Sequence, residues 1–318
     1  MWWFDMKICF VGTGRSGTTL ICDMFGNHPE LLMFGESYWH PILFDRYGKR
    51  PSSVREQLHI VRSVTFPGPS QKRFLRRNSR SASYPVVEIT LRKYGLNPAS
   101  IYDEFLETFG DAKQTVAEFC NSLSVVIMDR LGKSVWGDKT PHYFHKMQML
   151  QMLWPDLVFV HVIRHGIAVA QSMKHHVGFQ MIRNLEIDSW STIAEIHQYI
   201  EIPNRNIPIL EYMSMWARQI LRTRDEASRL RPGSYFEVRF EDLISQTEDV
   251  LNSICTFAEL SPDSEWVARQ EAVCRSDRLT IGKCPDDIDR KVIDVLESLG
   301  YSKDHAMPIH ELTNWIDS

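Results

Sequence analysis

The chain has 318 residues, 43% of them hydrophobic, which is enough to bury a full core as one large α/β domain. A formal net charge of -4 excludes a general nucleic-acid binder, whose electrostatic footprint would be basic overall. No apolar run reaches membrane-spanning length, and the opening MWWFDMK lacks the basic-then-apolar order of a secretion signal, so the sequence reads as cytoplasmic with no membrane span.

The first predicted unit is a strand, a glycine loop and a helix start. Ile8 to Val11 form an apolar run of strand length, followed by Gly12, Gly14 and Gly17, hydroxyls at Ser16, Thr18 and Thr19, and then the apolar Leu20 to Phe25. Such a loop directs backbone N–H groups and the positive end of a helix dipole at one point, where a phosphate is favoured. Three readings fit. Gly12 to Gly17 satisfies the dinucleotide fingerprint G-x-G-x-x-G, with Glu36 following about twenty residues on, which keeps an NAD-type oxidoreductase open. Gly12 to Thr19 has the spacing of a nucleotide-triphosphate loop, but Thr18 stands where its lysine belongs. In the third, Arg15 and the hydroxyls of Ser16, Thr18 and Thr19 hold a phosphate without a metal.

Beyond the turn Asn27-His28-Pro29-Glu30, Leu31 to Phe34 resume as a short strand ending in Gly35-Glu36-Ser37-Tyr38-Trp39-His40. A loop after the second strand of a parallel sheet can present Glu36 or His40 to a substrate; a solvated loop carboxylate and a structural histidine are the plain alternatives. From about residue 46 to 94 periodicity is poor and prolines interrupt it, so this stretch reads as a basic, irregular insertion in a single domain spanning 1–318. Twelve Lys or Arg lie between Arg46 and Lys93 against Glu56 and Glu88, a charge that suits either a solvated surface or an acidic acceptor.

Helical spacing returns near Ile101 to Leu106 and Val116 to Leu123, and Val125 to Met128 reads as a short strand. Val135-Trp136-Gly137-Asp138-Lys139-Thr140-Pro141 then precedes a predicted helix over His142 to Leu153. Leu157 to Ile163 is apolar enough for a central parallel strand, with Arg164 at its end and Ser172 two turns into the following helix. A guanidinium and a hydroxyl so placed can clamp a second phosphate; by themselves they are equally a salt-bridge arginine and a helix serine. Glu241-Asp242 are expected to cap a helix. The six cysteines show no C-x-x-C pairs and read as reduced thiols, with Cys274–Cys284 a possible bridge. Twelve histidines include no H-E-x-x-H or comparable metal spacing, so no metal is expected.

Taken together, RSGTTL at 15–20, WGDKTP at 136–141, FVHVIR with Ser172 behind it, and YFEVRFEDL at 235–243 come in the order and rough spacing of the sulfotransferase family. The closing PDDID and LESLGY at 285–301 resemble the tail of its tyrosylprotein and bacterial branches. The resemblance implies a P-loop-like α/β fold, a parallel sheet flanked by helices. It also implies metal-independent, in-line transfer of a sulfuryl group from 3′-phosphoadenosine 5′-phosphosulfate (PAPS) to a hydroxyl-bearing acceptor, either a glycan, a tyrosine or a small alcohol or phenol. It implies further that Gly14 to Thr19, with Arg15 among them, cradle the 5′-phosphate, that Arg164 and Ser172 clamp the 3′-phosphate, and that Lys139 neutralises the leaving oxygen. Glu36 is the implied base of the carboxylate-using branches, whereas the cytosolic branch would point to His142. Where relatives have R-D-x-R-D this chain has Arg164-His165-Gly166-Ile167-Ala168, and Phe240 stands where a tyrosine often lies near the adenine. With no clear G-x-W-K element, Arg275, Arg278 and Lys283 are the replacements near the 3′-phosphate. A non-catalytic nucleotide-binding protein is the further alternative.

Overall fold

The run before the glycine loop is a strand, β1 (Met6–Gly12), in which every residue but Lys7 is buried. A computed structural model describes residues 5–66, 84–184, 206–274 and 284–303. After β1 come α1 (Thr18–Gly26), β2 (Leu31–Gly35), α2 (Trp39–Tyr47), β3 (Ser52–Ser53), α3 (Val54–Ser63), β4 (Thr65–Phe66) and β5 (Tyr84–Pro85). Then follow α4 (Val86–Lys93), α5 (Pro98–Phe109), β6 (Lys113–Gln114), α6 (Val116–Leu131), β7 (Val135–Lys139), a 3-10 turn at Pro141–His145 and α7 (Met147–Leu153). The chain continues through β8 (Val158–Ile163), α8 (Gly166–Lys174), α9 (Val177–Asn184), α10 (Ile209–Ala227), β9 (Tyr235–Arg239) and α11 (Phe240–Ser245). The last helices are α12 (Thr247–Phe257), α13 (Ser264–Glu271) and α14 (Arg290–Ser298).

The main sheet has the order β2-β7-β1-β8-β9, and the registered pairs β2–β7 and β8–β9 are parallel. Numbered in chain order, its strands read 2-3-1-4-5. A dinucleotide fold would place its second strand directly beside the first. The chain divides into two compact units. One comprises Met1–Cys9, Cys22–Thr140 and Gln148–Val158, and the other Phe10–Ile21, Pro141–Met147 and Phe159–Ser318.

The first unit is centred on aromatic packing beneath β2 and β7. Trp136 meets Phe34 and Trp154 edge-on at 5.8 and 5.4 Å, and the Trp154 indole N–H donates to Asn121 at 2.9 Å, which satisfies its one polar atom. The expected strand at Val125 to Met128 lies inside α6 instead. Thr115 and Glu118 form a capping box at its start and Gly132, in left-handed geometry, ends it. The stripe Val116, Phe119, Cys120, Leu123 and Ile127 continues at helical spacing and overrides the local preference of the β-branched run. The described parts of the stretch from 46 to 94, residues 46–66 and 84–94, are more regular than their composition suggests. Val54, Leu58 and Val61 bury one face of α3, and Val86, Val87, Thr90 and Leu91 one face of α4. Among the described cations of this stretch, Arg55, Arg92 and Lys93 form surface ion pairs with Asp111, Glu88 and Asp23, and Arg46 and Arg62 lie over the Tyr47 and Tyr102 rings, while Lys72, Arg73, Arg76, Arg77 and Arg80 lie outside the described residues.

The second unit packs α8 on α10 and α14. Ile167, Val169 and Met173 from α8 meet Trp216 and Ile220 from α10 and Val292 and Leu296 from α14 in one buried cluster. The helix expected from His142 to Leu153 is divided, because Pro141 to Phe144 are buried consecutively, which a one-sided helix cannot achieve. Glu241 and Asp242 do not cap α11. Its N-cap is Arg239, without a side-chain cap bond, and the two carboxylates are committed elsewhere. Cys274 and Cys284 are free thiols, as are the other four cysteines, so the possible bridge is not formed.

Candidate active site

In the first unit the register of β2 with β7 places Gly35 opposite Lys139, and the Glu36 backbone N–H donates to the Lys139 carbonyl at 2.6 Å. The two side chains meet as well. Lys139 Nζ donates to Glu36 Oε1 at 2.7 Å, and the Tyr38 hydroxyl reaches Glu36 Oε2 at 3.4 Å. Lys139 is only 4% exposed. Burial disfavours its charge, but the Glu36 carboxylate outweighs that and raises its pKa, so the ammonium is retained. Burial pushes the Tyr38 phenol up, with the Glu36 charge adding to it. Tyr38 therefore acts as a neutral donor.

The backbone here is strained. Among the described residues the positive-φ positions other than glycine are Arg15, Glu36, Tyr38 and Glu259, at φ 59°, 56°, 55° and 50°. Non-glycine residues in this region cost about 1–3 kcal/mol each and persist where the surrounding structure over-determines them. Three of the four belong to the glycine loop or to the loop that carries Glu36.

Asp138, next to Lys139, is fully buried. Its Oδ1 accepts from the Thr140 hydroxyl at 2.7 Å, and burial raises its carboxyl to about 7, with Ser37 and Thr140 opposing that rise. His40 lies against Ser37 at 3.0 Å and edge-on to Trp154 at 5.4 Å, and burial lowers its pKa to about 3. These are the marks of a core histidine.

In the second unit the glycine loop leads into α1, with Thr18 and Thr19 at the helix start. Ser16 is fully buried and its Oγ has no hydrogen-bond partner among the described residues. Arg15 is exposed and its Nε donates to Ser172 Oγ at 3.0 Å, so the loop arginine and the α8 serine share one place. Arg164, at the end of β8, is half-buried and its guanidinium lies over the Phe240 ring at 4.6 Å. Burial lowers its pKa, Glu241 and Tyr301 oppose that, and the Arg15 charge adds to the lowering. Two positive charges on neighbouring segments raise the local potential, which favours an anion.

Phe240 is 4% exposed and packed: one side carries Arg164, and a Cβ on Gly17 would overlap its ring. It works as a spacer between the loop and the guanidinium instead of an open stacking face. Phe179 covers Gly14 in the same way, its Cζ 2.6 Å from where a Cβ would stand, and stacks on His142 at 6.4 Å. Burial lowers the His142 pKa to about 3, which makes it a weak base. Lys283, Arg275 and Arg278 lie outside the described residues. Among the described residues no cluster of His, Cys, Asp or Glu could hold a metal, and no helix is long and apolar enough to cross a membrane.

Sequence reasoning missed Tyr38, Asp138 and Phe179. Tyr38 and Phe179 leave no local signal, because a left-handed backbone and a ring over a glycine arise only in three dimensions. Asp138 stands inside WGDKTP and could have been found there.

These buried groups give an expected pH response. His40 and His142 stay neutral in the fold with pKa values near 3, while an unfolded imidazole titrates near 6.5. Stability is complete above about pH 6.5 and is lost as pH falls, because only the unfolded chain takes up those protons. Asp138 runs the other way: its raised carboxyl binds a proton in the fold first, which offsets one imidazole between about pH 7 and 4. Burial also holds His145, His161 and His165 below the usual imidazole range, which adds to the loss, so Asp138→Asn, which removes the offset, is expected to steepen the fall in urea midpoint between pH 7 and 5.5.

Comparison with known proteins accords with this arrangement. The sequence model of the Sulfotransferase family matches residues 8–264. The sulfotransferase domain from the curacin biosynthetic pathway is similar with a TM-score of 0.57 at 15% identity, over 94% of this chain and 98% of that one. The sulfotransferase domain of the Synechococcus PCC 7002 olefin synthase is similar with a TM-score of 0.56 at 18% identity, over 95% of both chains. At these identities the likeness is one of fold. A comparison with curated proteins finds no match. On the family match over most of its length, this chain belongs to the Sulfotransferase family and is a sulfotransferase enzyme.

Proposed function

We propose that the enzyme transfers a sulfuryl group from 3′-phosphoadenosine 5′-phosphosulfate to an acceptor hydroxyl, with Glu36 as base, Lys139 as charge stabiliser and Arg15 and Arg164 as donor ligands. The acceptor oxygen bonds to sulfur, and the bond from sulfur to the bridging phosphate oxygen breaks. Glu36 takes the hydroxyl proton, and 3′-phosphoadenosine 5′-phosphate (PAP) leaves with its new charge offset by Lys139. The observation that carries this reading is the Arg15–Ser172–Arg164 group, together with the partnerless buried Oγ of Ser16. A donor with phosphates at both the 5′ and 3′ positions suits two guanidiniums from separate elements and an unused hydroxyl in the loop.

An NAD-type reading is disfavoured by the strand order and by Glu36, whose carboxylate is engaged by Lys139 and Tyr38 instead of being open to a ribose. A non-catalytic reading would leave the strain at Glu36 and Tyr38 without purpose. Calorimetry with PAP, 5′-AMP and NAD tests the donor. PAP is expected to bind at least about 10²-fold tighter than AMP, as an additional charge-assisted phosphate clamp allows, and Arg164→Ala is expected to remove that preference. Equal binding of PAP and AMP, or a preference for NAD, overturns the proposal.

A further inference from the structure

The junction where β8 becomes α8 carries polar groups that the donor reading does not use. The register Ile163 with Arg239 sets Arg164 and Phe240 at neighbouring strand ends. Immediately beyond each, the two chains are tied together. Glu241 Oε1 accepts the His165 backbone N–H at 3.0 Å, and Glu241 Oε2 accepts the Tyr301 hydroxyl at 2.6 Å. Glu241 is 7% exposed, so a buried carboxylate spans from the helix start to the C-terminal turn.

His165 is held at both ring nitrogens. Nδ1 accepts the Ile167 backbone N–H at 3.3 Å as the cap of α8, and Nε2 lies 3.1 Å from the Ser302 carbonyl. A carbonyl only accepts, so Nε2 carries the proton and the ring is the neutral tautomer. The Tyr301 ring stands edge-on to it at 4.9 Å. The turn that delivers Tyr301 and Ser302 is itself fixed: Gly300 ends α14 at φ 75°, and the Tyr301 N–H donates to the Leu296 carbonyl at 2.9 Å.

We infer that Tyr301 and His165 are positioning residues for Arg164: the Leu299–Ser302 turn, through Glu241 and the His165 ring, sets the guanidinium over Phe240 where it takes the 3′-phosphate. This rests on the reading of Arg164 as the 3′-phosphate ligand. The sequence change that looks like a loss of charge, His165 in place of the family's acidic residue, is then the adaptation that makes the tether. A carboxylate at 165 could cap α8, but it could not donate to the Ser302 carbonyl and would face Glu241 with like charge. The histidine does both tasks while uncharged.

The test separates the 3′-phosphate from the rest of the nucleotide. PAP and 5′-AMP affinities are measured by calorimetry for the wild type and for Tyr301→Phe, His165→Asn and Arg164→Ala, with thermal midpoints for each. Tyr301→Phe keeps the ring and deletes the donor to Glu241. His165→Asn keeps a helix-capping carbonyl and is too short to tether Ser302. Both are expected to lower PAP affinity about tenfold, the size of one hydrogen bond to a charged group, and to leave AMP affinity within about twofold. A purely structural role would lower both ligands together with the thermal midpoint. If Arg164→Ala abolishes the PAP preference while both tether variants keep it, or if they weaken PAP and AMP equally, the inference is overturned and the clamp stands. If Arg164→Ala leaves the preference intact, the clamp itself falls and the inference with it.

Discussion

Glu36→Gln lowers turnover by about 10²-fold or more and leaves donor affinity close to that of the wild type, because it removes a proton acceptor and nothing that holds phosphate. The prediction has a structural corollary that a bystander carboxylate would not share. Lys139, 4% exposed, has Glu36 as its nearest anion at 2.7 Å, and an amide cannot balance its charge. Breaking one side of a buried ion pair costs about 3–5 kcal/mol, so the variant also melts earlier and its Lys139 pKa falls. Single-turnover sulfuryl transfer, donor titration and a thermal melt read the three effects separately. Turnover at the wild-type rate would refute Glu36 as the base. The strained φ values at Glu36 and Tyr38 sharpen the expectation, since the fold maintains an unfavourable backbone to aim this carboxylate.

Gly17→Ala is the second large effect. Gly17 has φ 100°, a conformation that an L side chain adopts at a cost of about 1–2 kcal/mol, and its new methyl would overlap the Phe240 ring. Overpacking adds about 1–3 kcal/mol, so a loss of about 2–5 kcal/mol in unfolding free energy is expected from urea titration. The functional loss has the same origin. Phe240 can escape the methyl only by moving from beneath Arg164, 4.6 Å away, so PAP binding weakens more than AMP binding. Phe240→Leu in the Gly17→Ala background, with a smaller side chain, recovers stability in part and not the PAP preference. A Gly17→Ala protein with wild-type midpoint and wild-type PAP affinity would show that the ring is no spacer.

The glycine loop, the apolar strands and the basic residues Lys139 and Arg164 at the ends of β7 and β8 were legible because each is written in consecutive residues. Backbone geometry that needs glycine and burial that needs an apolar run leave direct traces in the chain. Elements whose state depends on partners were less legible. Val125 to Met128 has strand-forming residues, yet the capping box at Thr115 and the buried stripe of α6 absorb it into a helix. The prolines and arginines of 46–94 hide the short apolar faces of α3 and α4, which become visible only against what they pack upon.

The candidate site divides along the same line. By itself the sequence determined the chemistry on offer, a phosphate loop with an arginine, a lysine after WGD, a carboxylate after β2 and a second arginine after β8, because residue type sets charge and donor capacity. Only the tertiary structure decided how these groups are paired. Lys139 meets a carboxylate 103 positions away, Arg15 meets Ser172 at a separation of 157, and Tyr301 reaches back 60 residues to Glu241. Such pairings follow from strand order and register, which place distant segments side by side, and no local spacing encodes them.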